Sequence, residues 1–244
     1  MNLFIQNVLI NWEKIPEGSY LQRIPALRKA DEIAFRQPVT FFAGENGTGK
    51  STLLEAIAVA YGFNPEGGSR NYSFSTYDSH SQLWNALTLG RGVGKSRWGY
   101  FLRAESFYNM ATKEMEYADI SHPSMRLHER SHGESFLAVI QSKLSSCGLY
   151  ILDEPESALS PQRQLTLLVE MKRAVDSGAQ FLVATHSPIL LGYPGAEILS
   201  FDEGALHLVE YEETESYQVT EMFINNRKYL LNRLFYNGGN EDEL

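Results

Sequence analysis

Gly44-Glu45-Asn46-Gly47-Thr48-Gly49-Lys50-Ser51 is the stretch on which the fold of this chain turns. It fits the pattern G-x-x-x-x-G-K-[ST], in which glycines let the backbone curl until successive N–H groups point inward at a phosphate. The flanks agree with that reading. Pro38 to Ala43 is apolar almost throughout, as in a strand buried on both faces. Thr52 to Tyr61 carries Leu53, Leu54, Ile57 and Ala58 at helical spacing. A helix starting near Ser51 and Thr52 adds its positive end to an anion site. Lys50 has the reach to pair with the outer phosphates, and the Ser51 hydroxyl is a hard oxygen suited to Mg²⁺.

Further along, Leu149 to Leu152 forms an apolar strand ending in two adjacent carboxylates, Asp153 and Glu154. Side chains alternate along a strand, so the two face different ways and take different tasks. Asp153 is placed to hold a metal, usually through water, and Glu154 to polarise an attacking water as general base. Other strands are expected over Leu3–Ile10, Trp98–Arg103 and Phe181–Thr185. Ile198–Phe201 and Leu206–Glu210 flank a Glu203-Gly204 hairpin turn. Helices are expected over Glu105–Thr112, Phe136–Lys143, Gln162–Asp176 and Val219–Phe235, with 62–80 as loop. Alternating strands and helices predict an α/β fold around a mostly parallel sheet wrapped on both faces.

These motifs, with Ser131-His-Gly-Glu134, Glu154-Pro-Glu-Ser-Ala-Leu159 and Thr185-His186, follow the order used by the ABC ATPase superfamily. Glu45-Asn-Gly-Thr-Gly-Lys-Ser-Thr-Leu-Leu-Glu-Ala-Ile-Ala58 resembles its branch of SMC, DNA-repair and related soluble ATPases. The resemblance covers roughly Val39 to Leu191 and suggests a small stand-alone bacterial ATPase of the AAA or ABC type. It implies a P-loop NTPase fold of the ABC nucleotide-binding type with a small antiparallel β subdomain. It also implies ATP and Mg²⁺ as ligands, and an ATP-dependent homodimer. Ser131 and Gly133 would contact the γ-phosphate bound by the other subunit, and His186 would sense the γ-phosphate. Glu105 stands near the place of a metal- and water-contacting Gln. His132, Glu134 and Ser160 depart from the commonest residues of these motifs. Ser131 and Glu134 also read as a helix capping box, and His186 as the cap of a strand end. Tyr20 could stack on a base, although a lone loop aromatic more often packs.

One domain is expected over 1–236, with a helical, signature-bearing insert at 62–147 and an acidic tail at 237–244. The 79 residues between Ser51 and Ser131 contain no heptads, which excludes coiled-coil arms, and the 58 after His186 leave no room for a fused nuclease. No apolar run approaches the roughly 18 residues of a membrane helix, and the start lacks a basic leader. The single cysteine, Cys147, excludes an internal disulfide, points to the cytoplasm and reads as a core residue. Net charge is −9, yet Arg91 to Arg130 carries seven basic residues against five acidic ones, a local face on which a polyanion could sit. The expected function is an ATP-binding and ATP-hydrolysing dimerising switch acting on DNA or a DNA-processing partner protein. The alternatives are the ATP-binding motor subunit of an ABC transporter and a non-hydrolysing nucleotide-dependent binding module.

Overall fold

The computed structural model describes residues 3–69, 81–92, 98–103, 132–144 and 147–236. Nine strands are found among them: β1 (Ile5–Ile10), β2 (Glu32–Ala34), β3 (Val39–Ala43), β4 (Leu87–Arg91), β5 (Trp98–Arg103), β6 (Gly148–Asp153), β7 (Gln180–Ala184), β8 (Glu197–Ser200) and β9 (His207–Leu208). Six build the central sheet in the order β5-β6-β7-β3-β8-β9. Every pairing in it is parallel except the last, β8 with β9.

β3 is buried at every position because both faces of the sheet are covered. Phe42 faces α1 (Lys50–Tyr61), packing with Leu53, Leu54 and Ile57. Val39, Phe41 and Ala43 face the opposite layer, where α2 (His132–Lys143) contributes Phe136 and α3 (Pro161–Asp176) contributes Leu167 and Met171. Each fully buried side chain of this size is worth about 1.5–3 kcal/mol, so the two layers fix β3 and the loop that follows it. Pro161 starts α3 at a position where a missing N–H costs nothing.

A second sheet, β2-β1-β4, is antiparallel and lies over α1. It is the small β subdomain that the resemblance implies. Buried Gln180 ties it to the main sheet: its Oε1 accepts from the N–H groups of Phe4 and Ile5 at 2.8 and 3.0 Å, and its Nε2 donates to the Ile5 carbonyl at 2.9 Å.

Several boundaries differ from expectation. β1 starts at Ile5, and β2 and β4 had no counterpart in the sequence reading. α2 begins at His132, four residues before the expected Phe136. Gly133 is required in that first turn for a packing reason: an added Cβ would lie 2.8 Å from the Ala158 carbonyl. Cys147 is exposed, not in the core. Its left-handed φ of 53° marks a turn into β6, which carries the side chain away from the interior. The hairpin turn falls where expected, with Glu203 (φ 59°) and Gly204 (φ 68°) both left-handed. The last helix, α4 (Glu215–Tyr236), is longer than expected and buries none of its residues; Ile224, Leu234 and Phe235 are each 70% exposed. No described helix is long and apolar enough to cross a membrane.

Candidate nucleotide site

The loop between β3 and α1 takes the shape its glycines permit. Gly44, Gly47 and Gly49 have φ of 132°, 84° and 103°, backbone conformations that side chains with a Cβ rarely adopt. Gly49 has a second constraint, since an added Cβ would fall 2.7 Å from Ile24 Cγ2. Gly47 has open space at the same position, on the crevice side of the loop. Thr48 Oγ1 donates to the Glu45 carbonyl at 2.8 Å and closes the curl.

Lys50 is 3% exposed and donates from Nζ to the carbonyls of Gly44 and Glu45 at 2.6 and 2.7 Å. Burial lowers its pKa below the ordinary lysine value, while Glu154, Asp202, Asp153 and Glu156, in that order, raise it. One ammonium thus sits within reach of four carboxylates. The acid pair at the end of β6 stands beside the loop although it lies about a hundred residues away in sequence.

Asp153 is buried and its Oδ2 lies 3.3 Å from Arg103 Nε. Arg103 Nη1 in turn donates to Glu55 Oε2 of α1 at 2.6 Å. Glu154 has a left-handed backbone (φ 48°, ψ 52°), which costs a non-glycine residue about 1–3 kcal/mol. Its N–H donates to the Ala184 carbonyl at 2.9 Å, so β7 holds the strained turn in place. The turn separates the two carboxylates. Asp153 stays in the interior, and Glu154 lines a crevice of about 430 Å³ with Asn46, Gly47, Gly49, Lys50, Ser51 and Thr52.

Tyr20 and Ile24 complete that crevice. Tyr20 is 55% exposed, so it does not pack in the core as a loop aromatic more often does. His186 stands at the end of β7 and shares a neighbouring crevice with Glu45 and Asn46. Gly133 lies at the start of α2, where Glu134 pairs with Arg163 of α3 at 3.1 Å. Ser131, Glu105, the expected helix Glu105–Thr112, Lys95, Arg97 and the tail 237–244 lie outside the described residues. Arg91 is engaged within the fold: Nη2 donates to the Ala60 carbonyl at 3.2 Å and the guanidinium lies over the Tyr61 ring at 5.0 Å.

The sequence reading missed Asp202. Its Oδ1 accepts the Glu45 N–H at 3.0 Å, and Ser200 Oγ donates to its Oδ2 at 3.0 Å. The carboxylate fits against Gly44, where a Cβ would lie 2.8 Å from it. The only sequence cue is an acidic residue beginning the hairpin turn, which is an ordinary place for one.

A glycine-rich strand-to-helix loop, a buried lysine and a strand-end acid pair facing it define a nucleotide-binding protein of the P-loop class. Comparison with known proteins makes this more specific. Residues 19–134 match a family described as "AAA domain", and residues 99–192 match a second AAA-domain family described with reference to the AbiEii toxin of a type IV toxin–antitoxin system. The "Cytochrome c biogenesis ATP-binding export protein CcmA" of Rhizobium etli is 31% identical over 165 residues, 60% of this chain and 74% of that protein. An "Uncharacterized ABC transporter ATP-binding protein" of Haemophilus influenzae is 27% identical over 184 residues, 66% of this chain and 68% of that protein. Among solved structures, cbiO1 of Clostridium perfringens, described as part of the ABC transporter complex cbiONQ, superposes with a TM-score of 0.54 at 15% identity. That match covers 95% of this chain and 99% of the other and shows a shared fold. The chain belongs to the ABC-type ATP-binding family and is an ATPase.

The residues present fit the ligands of that family. The inward-curled loop and Lys50 suit a triphosphate, while Ser51 and Asp153 offer the hard oxygen donors that Mg²⁺ requires.

Proposed function

We propose that the chain is a nucleotide-driven dimerising switch, in which ATP lies between the 44–51 loop of one subunit and Ser131 and Gly133 of another. The observation that supports it best is the shared crevice: the loop amides, Lys50, Ser51 and Glu154 all line one space, with Tyr20 at its rim. Lys50 exchanges its bonds to the loop carbonyls for the β- and γ-phosphates. Tyr20 offers its ring to the adenine. Glu154 holds the attacking water and draws its proton, and His186 reads whether a γ-phosphate is present. Ser51 and Asp153 would hold Mg²⁺, which would supply positive charge to the phosphates during hydrolysis. After hydrolysis the extra negative charge loosens the dimer.

Tyr20 gives a direct test. Stacking on a base is worth about 1–3 kcal/mol, so Tyr20→Ala should weaken ATP and ADP alike, on the order of tenfold each. Titration of a fluorescent nucleotide measures this; unchanged affinity would remove Tyr20 from the site.

The switch acts on a partner, and two classes are in view. DNA or a DNA-processing protein follows from the resemblance of Glu45–Ala58 and Glu154–Pro161 to SMC and repair ATPases. A membrane transporter is favoured by the names of related proteins, among them an arabinose import ATP-binding protein of Pseudomonas savastanoi of which this chain spans 36%. A complex with DNA that requires ATP and dissolves steeply with salt supports the first class. Co-purification with a permease supports the second.

A further inference from the structure

His186 and Glu156 form a contact that neither the sequence reading nor the family roles supply. The His186 N–H donates to Glu156 Oε1 at 2.8 Å, and the His186 ring Nδ1 lies 3.3 Å from the same oxygen. The two side chains are unequal in setting. That of His186 is 49% exposed and that of Glu156 only 7%. Among the described residues no hydrogen bond reaches Glu156 Oε2, which is also buried. A carboxylate taken out of water is costly unless it is paired with a charge or hydrogen-bonded. Here Oε1 makes both contacts, and both go to one residue.

We propose that Glu156 is the positioning residue of His186, setting the direction and the proton placement of its ring toward the γ-phosphate. This rests on the reading of His186 as the γ-phosphate sensor. A carboxylate only accepts, so the proton of the imidazole is held at Nδ1. Nε2, on the other side of the ring, is then the atom left for the crevice shared with Glu45 and Asn46. A phosphate oxygen is an acceptor as well, so its contact at Nε2 requires a second ring proton. The Glu156 carboxylate balances the charge this creates. ADP offers no γ-phosphate and leaves the ring in its first state. Glu156 would in this way give the site part of its preference for ATP over ADP without touching nucleotide.

A purely structural role, capping the backbone at the end of β7, makes a different prediction, because the glutamine amide oxygen can also accept the His186 N–H. Affinities for Mg-ATP and Mg-ADP are compared by calorimetry in wild type, Glu156→Gln, His186→Ala and the double variant. Glu156→Gln should lower the ATP-to-ADP affinity ratio on the order of tenfold, as expected for a lost charge-assisted bond, and His186→Ala should do the same. The double variant should lose no more than either alone. If His186→Ala lowers the ratio and Glu156→Gln does not, the inference fails while the sensor reading stands; if His186→Ala changes nothing, both fall. Nitrogen-15 spectra of histidine-labelled wild-type protein need no variant to fold. They should show the His186 proton on Nδ1 without nucleotide, and a proton on Nε2 instead would overturn the proposal.

Discussion

Replacing Lys50 by alanine should remove most of the thermal stabilisation that Mg-ATP gives this protein. A ligand present at about 100 times its dissociation constant adds about 2.7 kcal/mol to stability. For a chain of 244 residues that is a rise of roughly 5–10 °C in melting temperature. Lys50 is set among the loop carbonyls and near Glu154, Asp202, Asp153 and Glu156, and without it a triphosphate would meet these acids with less positive charge to offset them. Its lowered pKa sharpens the effect. Burial already disfavours the charged ammonium, and an arriving polyanion restores the protonated form, so binding should draw in protons at alkaline pH. Differential scanning fluorimetry of wild type and Lys50→Ala, each with and without nucleotide, gives the answer. A variant that keeps the full shift would place the nucleotide somewhere else.

Glu154→Gln should separate binding from hydrolysis. The glutamine preserves size and leaves the left-handed turn and its bond to Ala184 intact, so the crevice keeps its shape. What is lost is a base for the attacking water, which should slow turnover by about 10²–10⁴-fold. With Mg-ATP bound and uncleaved, the dimer should persist. Light scattering on a sizing column at micromolar protein should show twice the monomer mass for the variant with Mg-ATP and monomer without nucleotide. A monomer under both conditions contradicts the nucleotide sandwich.

The parts of the site that could be read from sequence are those in which neighbours in the chain are neighbours in space. The 44–51 loop, the β6 acid pair and the Glu203-Gly204 turn are local, and their residue types follow from backbone geometry. Asp202 and Glu156 meet their partners across longer separations. Glu45 and Asp202 are 157 residues apart, and nothing in either segment announces the partner. β4 shows a different limit. Leu87 to Arg91 is short and only half buried, and Gly90 stands in it because a Cβ would collide with Asn7 Oδ1 of β1. A glycine required by a neighbouring strand looks, in sequence, like the end of a strand.

α4 invites one more thought. None of its twenty-two residues is buried, and near its start the Tyr217 ring meets that of Tyr211 edge-on at 4.7 Å. Most helical stability in proteins comes from packing one face against the body, and this helix buries no residue, so the segment should melt apart from the rest. Ellipticity would then decline gradually on warming, ahead of the sharp collapse of the sheet. The exposed Ile224, Leu234 and aromatic rings would make recovery after heating depend on how concentrated the sample is.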